Sequence, residues 1–241
     1  MNQALELAVI FSERNECTRE NPVKIVIGEG EHEMVGVDSN GYGNSMHVSC
    51  NNITIIGKGI GKTTILGGFW VNNKQNVKIE QLAATNLGGC GLMCRGSGTK
   101  VDVTECCFKK CRFSGMWVEE GATVTATRCN FMENGLSGVE CHTNAKVRLT
   151  DSTMHHNETH GLVTDDHAVV DLHGTKTGIH SNEKHGIDAD NNAKVNIHLP
   201  SQHNTIHDNV RQDRAQRSGG SIANINADGT FTHVEEWFGD Y

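Results

Sequence analysis

Residues 101–150 read VDVTECCFKKCRFSGMWVEEGATVTATRCNFMENGLSGVECHTNAKVRLT. Within them Val101-Asp-Val103, Val124-Thr-Ala126 and Val147-Arg-Leu149 alternate apolar and polar residues. That is the period of two that a half-buried strand shows, not the helical 3.6. Working outward, the same step persists. Ile53, Val77, Val101, Val124, Val147, Val170 and Val195 are separated by 24, 24, 23, 23, 23 and 25 residues. Three further columns keep this step: Gly91, Gly115, Gly138, Gly161 and Gly186; Ala122, Ala145, Ala168 and Ala193; and Asn134, Asn157 and Asn182. After each glycine a second alternating piece points Leu92, Met116, Val139, Leu162 and Ile187 one way. A unit this short cannot bury its own apolar face, but stacked coils can, by parallel strand pairing at about 4.8 Å per coil. The reading is all-β, a parallel β-solenoid of about 7–8 coils.

The 241 residues are enough for a sizeable core. With 27 Gly, 2 Pro and 36% hydrophobic residues, they suit short strands and tight turns rather than a helical bundle. A formal net charge of −8 argues against a phosphate-backbone binder, so nucleic acid is not an expected partner. No apolar run spans a bilayer, so membrane insertion is not expected either. Residues 2–17 read as an amphipathic capping helix, with Leu5, Ala8, Val9 and Ile10 closing the end of the core. The expected division is residues 1–20 as this cap and 21–199 as the β-helix. Residues 200–241 would form a last coil, a loop and a C-terminal cap or tail. Pro200 and the basic stretch Arg211 to Arg217 break the period there, and Trp237, Phe238 and Tyr241 offer an aromatic docking segment.

Nine cysteines, an odd number, together with an N-terminus lacking a basic start, suit reduced thiols. Location inside the cell, in the cytoplasm, is the expectation. Cys106 and Cys129 share a column with Ser152 and Thr175, an inward stack of small side chains. Cys106 and Cys129 stand about 4.8 Å apart, just within disulfide reach. Cys94 and Cys141, two coils apart, could not pair. Gly57-Lys-Gly-Ile-Gly61-Lys62-Thr63 has three residues, not four, before its Gly-Lys pair, which is not a Walker A spacing. Of 14 histidines, eleven fall between His142 and His207, mostly at outward positions such as His155, His156, His173 and His185. They read as a solvated face that gains charge below about pH 6.5.

Pro22-Val-Lys-Ile-Val-Ile-Gly-Glu-Gly30, Asn52-Ile-Thr-Ile-Ile-Gly-Lys-Gly59 and Thr64-Ile-Leu-Gly67 resemble the opening coils of pectin lyase-like proteins. The pattern Val-x-x-Thr-x-Cys-x-Phe-x-x-Asn-Gly, Val124 to Gly135, is similar to their right-handed parallel β-helix repeats. The resemblance covers about residues 20–210. It implies a single-stranded right-handed parallel β-helix, and a superfamily of polysaccharide lyases, hydrolases, esterases and epimerases. That superfamily also includes partner-recognising repeats in some F-box proteins. Asp165-Asp166, Lys184-His185-Gly186 and Asp165-Asp166-His167 echo pieces of its polygalacturonase and epimerase motifs without the full series.

Overlaying the glycine columns gives the sharpest constellation. Two residues past each glycine stand Met93, Trp117, Glu140, Val163 and Asp188; four past stand Arg95, Glu119, His142, Asp165 and Asp190. The residues between them, such as Thr164 and Ala189, should face inward. Glu140, His142, Asp165, Asp188 and Asp190 should then share one outward face over successive coils. Close carboxylates repel, so one should hold its proton, or a calcium ion should bridge Asp165, Asp188 and Asp190. Asp165, Asp188, Asp190 and His142 are the candidate catalytic residues, for acid/base chemistry on a glycosidic bond. Glu140, Trp117, Glu119 and Arg95 would hold substrate, with Trp117 stacking on a sugar ring. No other cofactor is implied. Two functions stand: a non-catalytic module presenting a sheet face to a protein or glycan, which leads, and a carbohydrate-active enzyme.

Overall fold

The computed structural model describes residues 17–34, 44–198, 205–226 and 228–233. Residues 2–16 of the expected capping helix, Pro200 and the Trp237, Phe238 and Tyr241 tail lie outside them. The described chain is all β, and winds through three sheets in turn. One coil is Lys146–Thr150 in sheet A, Thr153–His155 in sheet B and Leu162–Thr164 in sheet C. Sheet A runs from Val23–Val26 to Ser221–Ile225 and ends on an antiparallel strand, Phe231–His233. Sheets B and C hold eight strands each, the last being Ile206–His207 and Arg214–Gln216. Among the described residues no helix is long and apolar enough to cross a membrane.

Pairing is parallel and keeps the register that the periodicity predicts. Ile53, Val77, Val101, Val124, Val147, Val170 and Val195 are consecutive partners across sheet A, with Ile222 following. Each is nearly or fully buried, as are Leu92, Met116, Val139, Leu162 and Ile187 in sheet C. The corners between sheets repeat as well. Gln81, Glu105, Arg128 and Asp151 follow successive sheet A strands with φ of 54°, 53°, 53° and 49°. A left-handed residue there turns the chain sharply, and polar residues tolerate it better than β-branched ones.

Two columns lock coil onto coil. Asn134 donates from Nδ2 to Oδ1 of Asn157 (2.9 Å), Asn157 to Asn182 (2.9 Å), and Asn182 to Asn209 (2.9 Å). Each amide also donates to a strand carbonyl: Phe108, Phe131, Met154 and Ile179 in turn. The ladder satisfies polar groups inside the corner between sheets B and C, where water does not reach. The glycine column stands at the entry to sheet C for a steric reason. A Cβ on Gly138 would lie 2.8 Å from the Gly161 carbonyl oxygen and 3.0 Å from Asn157 Nδ2. Gly115 and Gly161 meet the next glycine's oxygen at 2.8 Å in the same way.

All nine cysteines are free thiols. Val118 stands between Cys94 and Cys141 in sheet C, so that pair is two coils apart as expected. Burial raises Cys106 and Cys129, the latter to about 12, which keeps both protonated. One detail of their column changes. Thr175 is exposed, and buried Thr177 takes the place after Ser152. Gly178 pairs with Thr153, so residues 174–177 span what Asp151 and Ser152 span one coil earlier, and the corner absorbs two extra residues. The Gly57 to Thr63 segment is a corner followed by strand Thr63–Leu66, not by a helix, and Lys62 pairs with Glu29 at 3.1 Å.

Replacing Asn157 by Leu takes the acceptor from the buried Asn134 backbone N–H and the amide donor from the Phe131 carbonyl. At about 1–3 kcal/mol for each orphaned group, stability should drop by about 3 kcal/mol or more. A urea titration followed by circular dichroism should show a clearly lower midpoint, and an unchanged midpoint would remove the ladder from the account.

Candidate functional site

Sheet C carries the residues singled out from the sequence. Its strands Met116–Glu119, Val139–Cys141, Leu162–Thr164, Ile187–Ala189 and Arg214–Gln216 align Trp117, Glu140, Val163, Asp188 and Ala215 in one outward column. Val118, Cys141, Thr164 and Ala189 face the core between them, as the alternation requires. Val163 therefore separates Glu140 from Asp188 by two coils, and each carboxylate finds its own partners.

Glu140 is buried at 8% exposure although it points outward. Ser114 donates its hydroxyl to Oε1 (2.5 Å), and His142 Nε2 lies 3.1 Å from Oε2. On the other side of the ring, His142 Nδ1 is 3.8 Å from Asp165 Oδ2. The Trp117 and His142 rings stack with centroids 4.6 Å apart. Asp165 Oδ1 accepts from Asn191 Nδ2 (2.8 Å) and from the Asp166 amide (2.7 Å). The chain Ser114–Glu140–His142–Asp165–Asn191 thus crosses the face as one connected line. Burial by itself would raise the Glu140 pKa, but the His142 and Ser114 hydrogen bonds outweigh it and hold the carboxyl below its ordinary value.

A second group lies one coil further. Asp188, 4% exposed, takes a hydrogen bond from Arg217, whose Nε lies 3.9 Å from Asp190 Oδ2. His160 Nδ1 is 3.8 Å from Asp188 Oδ2, and the His160 and His185 rings stack at 5.3 Å. Burial outweighs Arg217 and raises the Asp188 carboxyl above its ordinary value. Its Oδ1 has no hydrogen-bond partner. At the far end Arg95 bridges Glu120 and Glu119, the latter at 3.5 Å. Asp165, Asp188 and Asp190 do not bring ligand atoms within 4.8 Å of one another as a set.

Arg217, Ser114, Asn191 and His160 are the parts that the sequence reading left out. A signal for Arg217 exists. The column Arg95, Glu119, His142, Asp165, Asp190 continues to it after a longer step, just as the asparagine column continues to Asn209. Ser114 and His160 directly precede glycines of the glycine column, a position whose proximity to the outward carboxylates no linear spacing reveals. Two cavities lie away from this face. One of about 490 Å³ is lined by Arg19, Gln75, Lys100, Asp102 and Thr125 on sheet A, and one of about 280 Å³ by Glu33, Leu66, Thr85 and Leu87 at the corner between sheets B and C.

Of the histidines expected on a solvated face, His156 is exposed, while His155, His173 and His185 are half-buried in stacks. His155 and His180 lie 5.0 Å apart at 6°, and His180 and His207 5.2 Å apart at 6°. Burial, then the neighbouring His180 or His185, lowers His155 and His160 to about 4. Both therefore bind fewer protons folded than unfolded, where the ordinary value is about 6.5. The stability they contribute is complete above about pH 6.5 and is lost as the pH falls towards about 4. Thermal melts should be level from pH 8 to 7 and fall below pH 6.5. In the His155→Gln, His160→Gln double variant the fall should be shallower, and an equally steep fall would contradict the assignment.

The right handed beta helix region family matches residues 67–235, more than half of the chain. No curated protein matches it. Among solved structures, the A-module of mannuronan C-5 epimerase AlgE6 from Azotobacter vinelandii is similar at 11% identity with a TM-score of 0.60, covering 88% of this chain and 75% of that one. ORF18 of Geobacillus virus E2 is similar at 9% identity with a TM-score of 0.54, covering 86% of this chain and 54% of that one. At such identities the likeness is one of fold. The match over residues 67–235, the three parallel sheets and the unbroken register together place the chain in the right-handed β-helix family.

Proposed function

We propose that this chain is a binding module whose sheet C face takes an extended, uncharged glycan. The observation that carries the reading is the state of His142. One ring nitrogen faces Glu140, the other faces Asp165, and the ring face rests on Trp117. Its Nε2 is engaged by Glu140 and its ring is stacked on Trp117, so the imidazole is fixed in one orientation as part of the face. A side chain held by a hydrogen bond and a ring stack serves well as part of a fixed surface, because binding then orders little that was mobile. Asp165, Asp190 and Glu119 can accept from sugar hydroxyls, while Arg95 and Arg217 can donate to them. Half-buried Trp117 and His142 offer ring faces. A polyuronate would meet five carboxylates of its own sign, which favours a neutral chain. Nine buried or half-buried thiols suit a reducing compartment, which we propose as the location.

A second reading, a carbohydrate-active enzyme, rests on Asp188. A buried carboxyl raised in pKa, with one oxygen unpartnered, has the character of a general acid. The two readings separate in one experiment. Calorimetric titration with neutral oligosaccharides should show saturable binding that Trp117→Ala weakens about 10-fold, equivalent to about 1.4 kcal/mol. Acidic oligosaccharides should bind less well, and reducing-end and ultraviolet assays on the same samples should stay flat. Sustained product release that Asp188→Asn abolishes would replace the binding module by the enzyme. A folded protein that binds no glycan but captures a protein through this face would leave only the scaffold role.

A further inference from the structure

A different face of the solenoid holds a second constellation, independent of sheet C. Strands Val169–His173 and Lys194–His198 are neighbours in sheet A, with Asp171 opposite Asn196 and His173 opposite His198. Val170, Leu172, Val195 and Ile197 of these strands are buried, so alternation sends Asp171, His173, Asn196 and His198 to the outer surface. There the two imidazoles lie face to face, with centroids 4.2 Å apart at 7°. His198 Nε2 is 3.2 Å from Asp171 Oδ1, and Asn196 donates to the same oxygen at 2.9 Å. His173 Nε2 is buried and has no hydrogen-bond partner. One ligand atom from each of Asp171, His173 and His198 falls within a sphere where all lie within 4.8 Å of one another, and among the described residues this is the set of three that does so.

We propose that Asp171, His173 and His198 form a binding site for a divalent transition-metal ion of the zinc class on the outer face of sheet A. Two imidazoles and a carboxylate suit zinc, nickel or copper, whereas calcium and magnesium want a shell of oxygens. At metal–ligand bonds of about 2.0–2.2 Å, ligand atoms around one tetrahedral ion lie roughly 3.4 Å apart. Asp171 and His198 already meet that separation, and a turn of the His173 ring brings its orphaned nitrogen to the third position. Water would take the fourth. An ion there also relieves two polar costs at once: the unpaired His173 nitrogen and the facing imidazoles. Asn196 acts as the supporting residue, holding the carboxylate in place. Arg148 stands beside Asp171 on the preceding strand and opposes the ion's charge.

The stacked row of His155, His180 and His207 in sheet B is the natural control. It has the imidazoles without three ligand atoms in one sphere. Titration of the tag-free chain with zinc chloride should give one ion per chain, and cobalt(II) should show the visible d–d absorption of a tetrahedral site. His173→Gln and His198→Gln should each weaken binding by about 100-fold or more, Asn196→Ala by about 10-fold, and Arg148→Gln should tighten it. The His155→Gln, His180→Gln variant should bind as the parent does. Circular dichroism on each variant confirms that it is folded. Absence of saturable binding, or binding that survives in His173→Gln and His198→Gln but is lost in the sheet B variant, overturns the proposal.

Discussion

Everything on the surface of this molecule depends on one constraint: each coil must sit on the last in fixed register. Main-chain pairing supplies most of the cohesion, but parallel ladders by themselves allow a slip, and a slip of one residue would send every core side chain outward. The amide ladder of Asn134, Asn157, Asn182 and Asn209, fully buried over its first three members, opposes it, because each of those three bonds both the next amide and a strand carbonyl. The glycine column works from the steric side. It lets sheet C strands enter where a methyl group would strike the following coil's carbonyl. With register held from both directions, outward side chains two and four residues past each glycine fall into columns, and their chemistry becomes a property of the face rather than of any one strand.

That face is already occupied with itself. Glu140 and Asp188 point away from the core and are still buried, since Ser114, His142, Arg217 and the flanking rings close over them. The repulsion expected among stacked carboxylates does not arise between these two, because Val163 stands between them. Glu140 is balanced by a hydroxyl and an imidazole, whereas at Asp188 burial outweighs the Arg217 guanidinium. Such pairing costs flexibility and yields a surface with few mobile parts, so an extended ligand would meet side chains already in place.

The columns were legible because a solenoid turns a one-dimensional period into a spatial address. Ile53 to Val195, the glycines and the asparagines fell where their spacing put them. The misses have equally plain causes. Spacing alone puts Thr175 inward, but a corner with two extra residues shifts the register silently, and Thr177 fills the site instead. Asn209 and Arg217 escaped because the step to the last coil lengthens across the stretch around Pro200. Lateral neighbours such as Ser114 and Glu140 belong to different parts of the repeat, and distance between a corner and a strand is set by how the corner folds, not by how many residues it has. The His173 and His198 pair was visible only as two histidines 25 residues apart.

We propose the sheet C face as a preformed surface on which a glycan lies without displacing its internal pairs. A crystal structure with a bound neutral oligosaccharide tests it most directly. The account predicts a sugar ring stacked at Trp117, hydroxyls on Asp165 and Arg217, and His142 still joined to Glu140. A ligand seated in the sheet A cavity beside Arg19 and Asp102, or a His142 ring turned away from Glu140 to meet the glycosidic oxygen, would contradict it.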